Sequence, residues 1–208
     1  LMRNSLSGMM GVRRLRAGAQ SRPQRKRNEW LVNDHPNTGL EGFDGLLAIC
    51  FYGGIVVANK EKLNSMAKNL SKEPPSSPRA ILGGHVILQR CLDKCRSFLA
   101  RTNGDYNFWP CSLCAELESF TGIDHDDFSV FVATGANDDE VAEWVNAHSK
   151  VKDKSEIIRW NNKMRDMRIS EMDIESQKFL ENYILEYLPK HRPVYVWFDV
   201  FDLEEERL

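Results

Sequence analysis

The first 28 residues contain no aspartate or glutamate, although they carry eight basic side chains: Arg3, Arg13, Arg14, Arg16, Arg22, Arg25, Lys26 and Arg27. An acid-free stretch of Arg, Ser, Gly and Ala has the composition of a mitochondrial or plastid transit peptide, which must be cationic and weakly amphipathic to engage import machinery. Residues 1–32 therefore read as a basic segment, disordered or targeting. The expected location is a mitochondrion or plastid, with the cytoplasm as the alternative. The excess is local, because the whole chain carries a net charge of only -2. That leaves no overall field to steer it onto nucleic acid, which is not favoured as a partner.

Long apolar runs are also missing. The longest uncharged one, Leu46 to Ala58, would reach roughly 20 Å as a helix against a hydrocarbon core of about 30 Å. It reads as a buried helix or strand, a membrane-interface anchor or a short tilted span, so membrane contact through 46–58 is one expectation. Five cysteines are too few, and odd in number, for a disulfide scaffold. The five histidines form no HxxxH pair, and there is no phosphate loop, GxSxG elbow or dinucleotide fingerprint. No cofactor is implied.

What is present divides in two. Residues 33–77 form a linker that ends in Pro74-Pro75-Ser76-Ser77-Pro78, a semi-rigid boundary. Residues 78–208 form a helical domain. Ser77 and Pro78 suit the start of a helix, and Ile81, His85, Leu88, Leu92, Cys95 and Leu99 make one apolar stripe along it. Further helices are expected over Ser112–Thr121, from Asp124 to Gly135, from Asn137 with Glu140 as a capping box, from Asp153 with Glu156, and from Asp173 to Leu188. Val194 to Leu203 alternates loosely and reads as an extended arm. The fold class is all-α: a compact array of about six short helices, a C-terminal extended arm and a largely irregular N-terminal segment.

Cys91, Cys95, Cys111 and Cys114 could supply four thiolates to zinc. The stripe claims Cys95 and its neighbour Cys91 for the core, so no metal is assigned. The Cys111-x2-Cys114 pair also suits thiol chemistry near a helix N-terminus, but the strand–helix alternation of a thioredoxin-like fold is absent. The polar residues suggest a small pocket for an anion, lined by Arg90, Lys94, Tyr106 and Asn161. Asp93, Asp105, Cys111 and Trp160 complete the candidate ligand-binding set.

Leu82-Gly83-Gly84, Leu88-Gln89-Arg90-Cys91-Leu92-Asp93-Lys94, Gly104-Asp105-Tyr106-Asn107 and Pro110-Cys111-Ser112-Leu113 together resemble the bacterial domain-of-unknown-function family 5069. Trp144, Trp160-Asn161 and Trp197-Phe198-Asp199 fit the same family, so the resemblance spans about residues 78–205. It implies a compact, mostly helical domain and no established activity. Of the four cysteines, Cys111 falls where that family often has one. The expected function is a helical interaction module or small-ligand-binding module, non-enzymatic and possibly tethered to an organelle membrane. Its partner would be an unidentified protein or a small anionic ligand. The alternative is a thiol- or metal-dependent enzyme using Cys111 and Cys114.

Overall fold

A helix with almost no exposed side lies at the centre of the molecule. In the computed structural model, which describes residues 46–51 and 54–208 with side chains from Asn59 onward, α2 (Leu88–Leu99) buries nine of its twelve residues. Leu88, Leu92 and Cys95 carry the expected apolar stripe, but Arg90, Asp93, Lys94 and Arg96 are buried as well. The expected basic segment 1–32 and the first part of the linker lie outside the described residues.

Before α2 come an antiparallel hairpin, β1 (Leu46–Phe51) and β2 (Gly54–Asn59), and a short helix, α1 (Lys60–Met66). The pairing runs from Leu46 opposite Asn59 to Phe51 opposite Gly54. This corrects the expected irregular segment. The β-branched Ile49, Ile55, Val56 and Val57 favour extended backbone, and Gly53-Gly54 disfavours a helix through the run. Among the described residues no helix is long and apolar enough to cross a membrane. Asn59 caps α1 by accepting from the Lys62 N–H, and α1 seats Leu63 in the core against α2 and α4.

The expected start of the first long helix at Pro78 is also corrected: α2 begins ten residues later, at Leu88. Gly83 and Gly84 both adopt positive φ, a bridge pairs Leu82 with His85, and Ile87 too has φ of 70°. A Cβ on Gly83 would come within 2.9 Å of the Ala142 Cβ, so the loop passes too close to the next layer for a larger residue. Ile81 is consequently exposed, whereas His85 is fully buried without being helical. The Pro74–Pro78 stretch packs on the domain: Pro75 and Pro78 are buried, and the Ser76 N–H donates to Asp93.

From there the helices follow their sequence signals closely. They are α3 (Ser112–Thr121), ended by left-handed Gly122, then α4 (His125–Ala133), α5 (Asp138–His148), α6 (Lys154–Arg165) and α7 (Ile174–Tyr187). Asn137 and Glu140 form the expected capping box. Asp153 instead caps through the Ser155 N–H and hydroxyl. Aromatic stacks join the layers, Phe120 on Trp160 at 4.4 Å and Phe131 on Trp144 at 4.7 Å. The expected C-terminal extended arm is a seventh helix of this domain, α8 (Trp197–Glu204), with six of its eight residues buried. A helix covered on nearly every side has no polar stripe to reveal its period. Asp199 starts it, accepting from the Tyr195 and Val196 N–H groups.

Burial lowers the His85 pKa from its ordinary 6.5, partly opposed by a backbone contact from Gly83. The folded state therefore favours the neutral ring, and unfolding below about pH 6.5 takes up a proton. Stability is expected to be complete above that pH and to fall below it, by at most about 1.4 kcal/mol per pH unit from this residue. Urea titrations of the wild type and His85→Leu across pH 5 to 8 check this: the difference in slope between the two proteins should vanish above the ordinary histidine pKa.

Candidate functional site

Each buried charge on α2 is met by a different part of the chain. Arg90 donates through both terminal nitrogens to the Glu205 carboxylate, at 2.9 and 2.6 Å, and also to the Ser76 carbonyl at 3.0 Å. The Tyr106 hydroxyl donates to the same carboxylate at 3.1 Å, Arg207 also pairs with it, and the Phe201 ring lies 5.0 Å from the guanidinium. Burial works against the charge on Arg90, but the Glu205 carboxylate outweighs it and the pKa rises. Asp93 accepts from the Ser76 N–H and hydroxyl, both at 2.7 Å, and from Lys68 at 2.6 Å. Arg96 binds Asp138 and the Ala136 carbonyl.

Lys94 differs from the other three. Its ammonium is buried, and its hydrogen bond goes to the Cys111 sulfur at 3.0 Å rather than to a carboxylate. Cys111 in turn hydrogen-bonds with Cys114, and the Cys114 sulfur lies 2.8 Å from that of Cys91. The neighbouring Cys114 thiol and burial push the Cys111 thiol up, with Lys94 opposing. Cys95 points elsewhere, towards Ser129, and burial raises it too. All four are free thiols. Among the described residues, the only set of three or more potential ligands with all donor atoms within 4.8 Å of one another is Glu118, Asp124 and His125, so the four thiols do not converge as a tetrahedral zinc set would.

The sequence-derived candidates thus separate. Arg90, Asp93, Lys94, Tyr106 and Cys111 gather around α2. Asp105 is exposed on the turn that carries Tyr106. Trp160 stacks on Phe120, and the Asn161 amide is used in the loop before α2, accepting from the Val86 N–H and donating to the Gly84 carbonyl. Asn161 therefore clamps that loop and does not complete an anion pocket. Sequence reasoning missed Glu205, an acid in an acidic tail that looks like solvated surface. It also missed the approach of Cys91 to Cys114.

A cleft on the other side of α2 leads to those two thiols. Its walls are apolar, formed by Leu88, Leu117, Phe128 and Val145 among others, with Cys91 and Cys114 at its buried end. Glu118 and His125 line its part-exposed end, with 3.1 Å between carboxylate and ring. Trp109 stacks on His125 at 4.0 Å and fixes the ring. The free space is about 30 Å³, and a water needs roughly 10–15 Å³ by this measure. The cleft suits a molecule of a few heavy atoms.

Because Glu205 is the only carboxylate on Arg90, Glu205→Gln is expected to cost about 3–5 kcal/mol by leaving a buried cation unmatched. Tyr106→Phe should cost less, roughly 1.5–3 kcal/mol for one hydrogen bond to a charged group. Chemical denaturation of both variants checks the order, and equal costs would contradict it.

A family model described as a domain of unknown function (DUF5069) matches residues 72–207. No curated protein matches the chain.

Proposed function

The chain belongs to the DUF5069 family of domains of unknown function, and from its geometry we propose that it is a helical small-ligand-binding module whose site is the cleft beside α2, α3 and α4. One observation carries this reading: a cleft with apolar walls runs from the Glu118–His125 pair to two buried thiols. Binding sites combine apolar lining with a few placed polar groups, and this cleft has both. Its size favours a small uncharged molecule, or the apolar end of a larger one with its polar group beside His125. The Arg90 cluster is a poorer candidate for an anionic ligand. An incoming anion would have to displace Glu205, which already receives Arg90, Tyr106 and Arg207.

An NMR screen with short-chain alcohols and thioethers tests the proposal. Saturable amide shifts are expected around Cys91, Cys114, Leu117 and Val145, and they should be lost in Leu117→Phe, which fills the cleft from its wall. Shifts that survive that substitution place the binding elsewhere.

We further propose that the basic leader directs the protein to a mitochondrion or plastid and that 46–58 touches the membrane there. The supporting features are the eight unopposed cations and the uncharged run. Full-length protein should then sediment with organelle membranes in salt, and deletion of 46–58 should release it. A wild type that is already fully released argues against membrane contact.

A further inference from the structure

Three of the four thiols in the helical domain form a line from Lys94 through Cys111 and Cys114 to Cys91, and the far pair opens onto the cleft. Space-filling alone does not account for this arrangement. A buried ammonium is costly unless an anion faces it. Arg90, the nearby cation, is matched by Glu205, whereas the acceptor facing Lys94 is a thiol. A negative charge on the Cys111–Cys114 pair is the one these contacts would stabilise. The Cys91 and Cys114 sulfurs, at 2.8 Å, are less than one ångström beyond a disulfide bond of about 2.05 Å. Small movements of α2 and α3 suffice to join them.

We propose that Cys91 and Cys114 are a dithiol redox site oxidised by a small hydroperoxide that enters through the cleft. The proposal rests on the cleft being a binding site and names the substrate class it takes. Cys114, as thiolate, attacks the outer oxygen of the peroxide. The O–O bond breaks, a Cys114 sulfenic acid forms, and the departing alkoxide or hydroxide takes a proton from Lys94. The Cys91 thiol then attacks the sulfenic sulfur, forming the disulfide and releasing water with its own proton. Two thiols and one hydroperoxide give one disulfide, one alcohol or water, and one further water. Thiol–disulfide exchange with an external dithiol restores the reduced pair. About 30 Å³ of free space admits hydrogen peroxide and excludes a bulky disulfide such as oxidised glutathione.

The groups facing the reacting sulfur are Cys91, Cys111 and Lys94, with Arg90 behind Lys94. A hydrogen bond from Cys111 favours the Cys114 thiolate, but contact with Cys91 and burial outweigh it and hold the thiol above its ordinary range. Oxidation is therefore slow at neutral pH and accelerates as pH rises, about tenfold per unit while the thiolate is the minor form.

The test treats reduced full-length protein with hydrogen peroxide and follows intact mass and linked peptides. Expected are the loss of two hydrogens, a Cys91–Cys114 linked peptide, rising rates with pH, and little reaction with oxidised glutathione. Cys91→Ser should stop at a sulfenic acid on Cys114 that a dione probe captures, and Cys114→Ser should give no link. Lys94→Met should slow oxidation roughly tenfold and move the pH profile upward. An unmoved profile removes Lys94 from the site, since a merely structural lysine would leave it so. Linkage of another cysteine pair, or none, overturns the proposal even if fragments still bind the cleft. Cross-linking as fast in Leu117→Phe as in the wild type shows instead that the dithiol reacts but the cleft is not its route.

Discussion

The ion pair between Arg90 and Glu205 constrains the rest of this fold. A helix at the centre of a domain is normally apolar on every side, yet α2 brings Arg90, Asp93, Lys94 and Arg96 into the interior. Each needs a partner, and α2 cannot supply all of them itself. The segment before it therefore folds across Asp93 through Ser76 and Lys68, and α8 delivers Glu205 to Arg90. Pro75 and Arg207 are drawn together at the same place. What reads as a proline-rich linker is thus a strap across a charged helix. The family match is consistent with that, since it begins at residue 72 and takes in the whole strap.

Once those charges are matched, α2 has two working faces. One is closed by carboxylates and a tyrosine and has no room for a guest. The other carries Cys91 and, with α3 and α4, frames the cleft. Lys94 lies between them. It is close enough to Arg90 to feel its charge, and it is bonded to the first thiol of the line that ends in the cleft. The polar half of the domain and the cysteine half are joined through this one side chain.

Much of the architecture was legible in the sequence because it is encoded locally. Asn137 with Glu140, Gly122 after Thr121, and Asp173 before Ile174 mark helix ends by chemistry that acts within a few residues. α8 was not legible, because burial on most sides removes the amphipathic period on which such a reading depends. The start of α2 was misplaced for a related reason: His85 is buried like a stripe residue, but it reaches the core from a left-handed glycine loop. The site was half visible. Arg90, Lys94, Tyr106 and Cys111 stand out by type and spacing, whereas Glu205 and the Cys91–Cys114 contact depend on tertiary approach. Trp160 and Asn161 looked like ligand contacts because an aromatic ring beside an amide serves a binding wall and a structural clamp equally well.

The separation of Arg90 from Glu205, 115 positions, also has a consequence for synthesis. Chains emerge from the ribosome at roughly 5–20 residues per second, so α2 waits on the order of ten seconds for its counter-charge. Through that interval its cations have water as their only strong partner, and the centre of the domain must stay open on that side. Helices α3 to α7 can assemble around the apolar face meanwhile. The final closure is therefore a late event, triggered when translation delivers α8.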